Sequence, residues 1–180
     1  MAFPWYEICE PEENSLQQGD FISECPIVIP PVHLDEAEED VEIEVQKIDS
    51  IVLSQSCDLE HGKIDIVLVC PYYSLSSWVE DLPQDQQSKK GKSKAIDNLR
   101  KGNLPGYHLL NRHDDEWLPD YQVVDFRNVY GINFQLLQNI VQETGDRVRL
   151  LPPYREHLSQ SFARYFMRVG LPQDIRVEGY

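Results

Sequence analysis

The excess negative charge of this chain is confined to its first third, and this asymmetry limits how the chain can fold. Residues 1–60 contain 16 Asp and Glu but a single basic residue, Lys47, whereas residues 61–180 contain 15 acidic and 15 basic residues. The formal charge of −15 therefore belongs entirely to the first sixty residues. We expect a neutral folded scaffold that carries an acidic segment or face.

The densest acidic stretch covers residues 35–44. Its carboxylates are Asp35, Glu36, Glu38, Glu39, Asp40, Glu42 and Glu44. So much like charge repels phosphate backbones, so nucleic acid is not an expected partner of this segment. It is either a solvated loop that keeps the protein soluble or a face that docks a basic protein or mimics nucleic acid. The run has no EF-hand loop, which argues against calcium.

The length of 180 residues predicts one domain spanning 1–180. No apolar stretch of 18 residues and no basic, apolar leader is present, so neither a membrane span nor a secretory signal is expected. The four cysteines contain no C-x-x-C pair, which excludes a zinc ribbon and a small disulfide scaffold. We therefore expect a reduced, cytoplasmic protein.

Short apolar runs bounded by turn residues predict an antiparallel sheet, and two later segments have helical spacing. The predicted strands cover residues 27–29 (a short edge strand), 41–45, 48–53, 64–70 (a buried strand ending at Pro71), 107–110 and 121–127. A polar loop between two of them predicts a hairpin of 48–53 with 64–70. Asn133 is placed to cap one helix, and a C-terminal helix is expected over about 154–168. The fold class is α+β.

Residues 76–106 interrupt this pattern with a polar, lysine-rich stretch. Helical spacing at about 76–82 and 95–101 predicts a helical, flexible insertion rather than a core element. Its basic residues are Lys89, Lys90, Lys92, Lys94, Arg100 and Lys101. They could contact RNA or fold back onto the acidic segment, and residues 83–106 could equally be a site of proteolytic cleavage.

Polar residues that follow a predicted strand form the strongest candidate for chemistry. These are Gln55, Ser56, Cys57 and Asp58, in which Cys57 would be a nucleophile, His61 or His157 its base, and Asp58 the group that orients the base. The alternative is a turn in which Ser54 and Asp58 cap the backbone and Cys57 packs as a small hydrophobe.

Arg155 lies within the apolar stripe of the C-terminal helix. It either extends past the core or pairs with a specific carboxylate or ligand.

Motifs for metals and cofactors are missing from the sequence. The five histidines have no H-x-x-x-H or H-E-x-x-H spacing, so no metal site is predicted. Neither G-x-x-x-x-G-K-[ST] nor G-x-G-x-x-G occurs, so nucleotide-dependent chemistry and cofactors are not expected.

The order of four segments resembles the MazF/PemK family of small β-barrels. The segments are Gly19-Asp20-Phe21-Ile22, Ile51-Val52-Leu53-Ser54, Val67-Leu68-Val69-Cys70-Pro71 and Val123-Val124-Asp125-Phe126-Arg127. The resemblance implies an SH3-like antiparallel barrel, here with a helical insertion and a C-terminal helix, and it allows a homodimer.

The residues that the family uses to cut single-stranded RNA are largely replaced here. The family's toxins use an arginine before the second strand and a Thr-Ser pair after the third. This chain has Lys47-Ile48-Asp49-Ser50 and Tyr72-Tyr73-Ser74 at those places, so only Ser74 matches. The resemblance therefore implies an enlarged relative that keeps the barrel without the nuclease residues.

The function expected from charge and resemblance together is a non-catalytic regulatory module of a bacterial stress or defence pathway. Its acidic residues would dock a basic partner, for example a sigma-factor-like regulator. The alternative is a divergent MazF-type endoribonuclease toxin. Its site would be drawn from Gln55, Ser56, Cys57, Asp58, Tyr73, Ser74, Arg127, Arg155 and His157.

Overall fold

A computed structural model of the chain describes residues 3–10, 13, 15–31, 43–113 and 117–167. These residues form an α+β fold in which all strand pairs are antiparallel. The strands are β1 (Tyr6–Cys9), β2 (Phe21–Ile29), β3 (Glu44–Val52), β4 (Ile66–Ser74), β5 (Tyr107–Leu110), β6 (Gln122–Asp125), β7 (Tyr130–Asn133) and β8 (Arg147–Leu150). The helices are α1 (Ser56–Glu60), α2 (Leu75–Glu80), α3 (Lys89–Arg100), α4 (Phe134–Thr144) and α5 (Tyr154–Phe166), and Gln84–Gln86 form a 3₁₀ turn.

Strand β4 is the centre of the larger sheet. Its residue Val69 lies between Val52 of β3 on one side and Tyr130 of β7 on the other. Strand β6 pairs with the second half of β4, which gives the order β2-β3-β4-β6-β5 with β7 also on β4. The predicted hairpin of the third and fourth strands is confirmed. Strand β4 continues past Pro71 because β6 takes up the pairing from Tyr72 onward.

The α+β class and the antiparallel sheet are confirmed, but the expected barrel is not seen. Among the described residues, the terminal strands β2 and β5 do not pair with each other, so the six-stranded sheet stays open. Strands β1 and β8 form a separate two-stranded sheet. A single bridge between Asp20 and Arg149 joins this ribbon to the start of β2.

Two apolar clusters fill the space on the faces of the sheets. One cluster packs Phe21 and Phe126 against Leu150 of β8 and Leu158 of α5. The other lies under α4, whose buried residues Leu137 and Val141 belong to it. Helix α4 begins where the sequence predicts, because the Asn133 side chain accepts a hydrogen bond from the Leu136 N–H at 3.1 Å.

The predicted insertion contains helices α2 and α3. Helix α3 begins at Lys89, six residues earlier than the predicted helical spacing, because Ser88 caps it by accepting a hydrogen bond from the Gly91 N–H. Trp78, Ala95 and Leu99 of the two helices are buried against Val123 of β6. The insertion therefore has a small apolar cluster of its own on the sheet.

The C-terminal helix predicted for about 154–168 is present as α5, Tyr154–Phe166. None of the described helices is both long enough and apolar enough to cross a membrane.

Candidate functional site

The polar segment after β3 uses its serines to hold backbone groups in place. Ser54 Oγ accepts a hydrogen bond from the Leu68 N–H at 2.9 Å, and Ser56 Oγ accepts one from the Gln18 N–H at 3.1 Å. The Gln18 side chain in turn donates to the Leu53 carbonyl at 2.7 Å. Residues 54–56 therefore fix the end of β3 to its neighbours, while residues from Ser56 onward form helix α1 instead of the predicted turn.

Cys57 is exposed on α1, and its described contacts include no histidine at the thiol. Its Sγ lies 3.8 Å from Gln55 Oε1 and 3.7 Å from Asp58 Oδ1. The ring of His61 contacts the Cys57 backbone carbonyl, with Nδ1 at 2.7 Å, and not the thiol. Asp58 Oδ1 lies 3.8 Å from Lys63 Nζ. The described contacts around Cys57 thus do not pair its thiol with His61 or His157, the bases that covalent catalysis would use here.

The remaining cysteines are buried and poor nucleophiles. All four cysteines are free. Burial raises the pKa of Cys9 and Cys25 to about 11 and that of Cys70 to about 12, so these three stay protonated near neutral pH. Cys57 is the one exposed thiol in the chain.

A groove of about 520 Å³ brings part of the predicted site against the C-terminal helix. Gln55 and Asp58 line it on one side, and Ser159 and Phe162 of α5 line it on the other. Arg155 lies one turn before Ser159, and its Nη1 is 3.3 Å from Gln17 Oε1. Its guanidinium also reaches the exposed carboxylate of Glu156 at 3.4 Å. Arg155 therefore pairs locally with side chains of the protein.

Ser74 lies far from this groove and has a structural contact. It caps helix α2, because its Oγ accepts a hydrogen bond from the Ser77 N–H at 3.0 Å. Along β4 it is six residues beyond Leu68, the residue bound by Ser54, which is a separation of about 20 Å at the usual rise of a strand.

The described contacts of His157 do not include Cys57. Burial, with an electrostatic contribution from His157, lowers the pKa of His108 of β5 to about 4. The His157 ring also meets the ring of Tyr154 edge-on, with centroids 6.4 Å apart. The structure thus brings Gln55 and Asp58 together with α5, but it does not join Cys57, Ser74 and His157 into one site.

The acidic segment connects β2 to β3. Of its predicted partner-binding residues, Glu44 is the first residue of β3, is exposed, and lies opposite Ile29. Asp35, Glu36, Glu38, Glu39, Asp40 and Glu42 lie outside the described residues. Three apolar side chains next to this connection are largely exposed. The exposed fraction is 57% for Val28, 56% for its strand partner Val45, and 61% for Ile43. We call Val28, Val45, Ile43 and residues 35–44 the hairpin end.

A buried ion network that sequence reasoning missed holds the N-terminal segment to β8. The fully buried carboxylate of Asp20 accepts hydrogen bonds from Arg147 Nε at 3.0 Å and from Arg149 Nε at 2.5 Å. Arg149 also donates to the Glu13 side chain, and both arginines donate to the Ser15 carbonyl. The Arg149 guanidinium lowers the pKa of Glu13 below its usual range. These contacts neutralise part of the acidic first third inside the fold.

The only sequence signal for this network is the alternation in Arg147-Val148-Arg149-Leu150, which is typical of a strand with one polar face. The neighbouring sequence does not show that this polar face is buried, because the carboxylate that pairs with Arg147, that of Asp20, lies 127 residues earlier.

The lysine-rich start of α3 is not neutralised by ion pairs with described residues. Within the described chain, Lys89, Lys90, Lys92 and Lys94 form no ion pair, whereas Arg100 and Lys101 both pair with Asp97. The described residues also contain no group of three or more side chains that could hold a metal ion.

Compared with known proteins, the chain matches no protein-family model, and no curated protein aligns with it significantly.

Proposed function

We propose that this chain is a non-catalytic binding module whose hairpin end docks a basic protein partner. Following the resemblance to MazF/PemK barrels, the partner is a regulator of the sigma-factor type in a bacterial stress or defence pathway. The catalytic alternative has less support, because the described contacts do not assemble its candidate residues into one site.

The charge distribution carries this proposal. Seven carboxylates lie between residues 35 and 44, and the chain has one basic residue before position 61, Lys47, which already pairs with Glu24 at 3.1 Å. Asp20 and Glu13 engage Arg147 and Arg149 in the fold, so those arginines are not free to neutralise the run. A dense negative field of this kind steers a positively charged partner and accelerates its association.

Exposed apolar residues supply the other half of an interface. Val28, Val45 and Ile43 are each more than half exposed beside the acidic run. Interfaces combine an apolar centre with a charged rim, and burial of these side chains would add affinity that does not depend on salt. The hairpin end offers both components.

The test compares two variants with the same loss of charge. One replaces Glu36, Glu38, Glu39 and Glu42 by Gln, and the control replaces the exposed Glu10, Glu60, Glu80 and Glu143 by Gln. The basic protein that co-purifies from native lysate at low salt is identified and purified, and its Kd is measured for each variant across a range of salt. We expect the hairpin variant to lose most of the affinity and its salt dependence, and the control to keep both. Equal losses in the two variants, or no loss in either, would contradict the proposal.

An RNA assay separates the proposal from the nuclease alternative. The protein is incubated with a mixed RNA pool, and the ends are sequenced. We expect an intact pool. Discrete new ends that disappear in Arg155→Ala would establish the enzyme instead.

A further inference from the structure

A second groove, of about 470 Å³, lies between the insertion and the larger sheet. One wall carries Trp78, Leu82 and Gln86 of the insertion, and the opposite wall carries Tyr73, Tyr107 and Arg127. Its volume lies within the range of small-molecule sites. None of the residues that line the groove belongs to the hairpin end.

Arg127 is fixed in this groove with part of its guanidinium left available. Its Nε and Nη2 donate to the two carboxylate oxygens of Asp125 at 2.9 and 2.7 Å, and its Cζ lies 4.4 Å from the centre of the Tyr107 ring. Asp125 is only 2% exposed, whereas the Arg127 side chain is 53% exposed. Nη1 makes no hydrogen bond to a described residue. An arginine held in this way presents its remaining donors to an anion without losing further side-chain freedom.

An aromatic ring lies beside this arginine. Tyr73 is 38% exposed where it lines the groove, and Tyr107 is held in place by an edge-on contact with the buried Trp78 at 5.5 Å. Planar heterocycles stack on tyrosine rings and on guanidinium planes. Asn128 and Asp81, which also line the groove, offer hydrogen-bonding groups for the edge of such a ring.

One wall of the groove belongs to a segment of positive net charge. Residues 76–106 contain six basic and four acidic side chains, so the insertion is net positive in a chain of charge −15. The lysine-bearing first turn of α3 packs on the groove wall, since a Cβ at Gly91 would come within 2.4 Å of the Gln86 carbonyl oxygen. The lysines of that turn therefore add positive charge to the wall that carries Gln86, while the groove lining itself holds the carboxylates of Asp81 and Asp125 beside Arg127.

We propose that this groove binds a nucleoside phosphate, with the phosphate on Arg127 and the base stacked against Tyr73. The lysines at the start of α3 attract the anion, and the side chains of Asn128 and Asp81 contact polar groups of the base. This mode of binding does not use a glycine-rich phosphate loop, which the sequence lacks.

Isothermal titration of the full chain with 5′-AMP and 5′-GMP at low salt tests the site. We expect Tyr73→Leu and Arg127→Gln each to weaken binding by about tenfold or more, whereas Arg164→Gln, an equal charge change on the exposed side of α5, leaves the Kd unchanged. Because Arg127→Gln leaves the buried Asp125 without its cation, unfolding curves confirm that each variant is folded. Tyr73→Leu keeps the test decisive if Arg127→Gln does not fold.

Inorganic phosphate, adenosine and a short single-stranded RNA are titrated in parallel. Weaker binding of phosphate and of adenosine than of 5′-AMP is expected, since each supplies only one of the two contacts. The proposal is overturned if neither nucleotide binds at millimolar concentration, if Tyr73→Leu binds like the wild type, if phosphate alone binds as tightly as the nucleotides, or if only the RNA binds.

Discussion

Replacing Asp20 by Asn tests whether the buried ion network holds the N-terminal segment to the rest of the fold. Asp20 has no exposed surface, and its carboxylate is shared by Arg147 and Arg149, whose side chains are 4% and 3% exposed. Asn has nearly the same shape as Asp, so the substitution removes a charge without opening a cavity. Both guanidinium groups then stay buried with less negative charge to balance them.

The expected loss of stability follows from what remains around the arginines. Breaking a buried ion pair by removing one partner costs about 3–5 kcal/mol. Arg149 keeps the partly exposed Glu13, and both arginines keep the Ser15 carbonyl, which limits the loss. We therefore expect about 3 kcal/mol, a large share of the roughly 5–15 kcal/mol of a typical domain.

Urea unfolding at neutral pH measures this loss as a lower urea concentration at the unfolding midpoint. For typical m-values the decrease is about 1–3 M. The matched control is Glu24→Gln, which breaks the exposed Glu24–Lys47 pair and should cost less than about 1 kcal/mol. If Asp20→Asn lowers the free energy of unfolding by no more than Glu24→Gln does, the buried ion network does not stabilise the fold as its geometry implies.

Three further predictions concern other parts of the fold. His108 has a folded pKa of about 4 against 6.5 for the free side chain, so the unfolded chain binds a proton at this residue before the folded chain does as pH falls. Between pH 7 and pH 4.5 the wild type should therefore lose about 2 kcal/mol more unfolding free energy than His108→Phe. Equal losses in urea titrations of the two proteins would refute this. Gly91→Ala should lower the stability of the protein although alanine favours helices, because the added Cβ meets the Gln86 carbonyl. The control is Ser93→Ala at an exposed position of the same helix, which should leave the melting temperature unchanged or raise it. Ser74→Ala removes the cap of α2 and should cost about 1 kcal/mol by urea unfolding; no change would show that the cap hydrogen bond is dispensable.

Elements with local signals could be predicted from the sequence. Asn133 marks the start of α4, the Pro152-Pro153 pair precedes α5, and the β-branched pair Val123-Val124 lies in β6. The predicted edge strand at 27–29 is the end of the longer strand β2. In each case the residues that determine the element lie within it or next to it.

Strands β1 and β8 could not be predicted in this way. Each has four residues, and their pairing joins Tyr6 to Leu150 across most of the chain. The burial of Arg147 and Arg149 depends on Asp20, which no periodicity connects to them.

The candidate site shows a similar division. Residues 54–58 do follow the end of a strand, as predicted. The side chains of Ser54 and Ser56, however, bind the backbone of Leu68 and Gln18, two partners that only the folded arrangement brings near.

The two proposed binding surfaces share no residues. The hairpin end belongs to the connection between β2 and β3, whereas the groove is lined by the insertion and by residues of β4, β5 and β6. At physiological ionic strength the Debye length is about 8 Å, so exposed charges act over short distances. An acidic segment that attracts a basic protein can therefore coexist with a groove in which Arg127 accepts an anion. We therefore expect the Gln substitutions at Glu36, Glu38, Glu39 and Glu42 to leave nucleotide affinity unchanged at physiological salt, because none of these residues lines the groove.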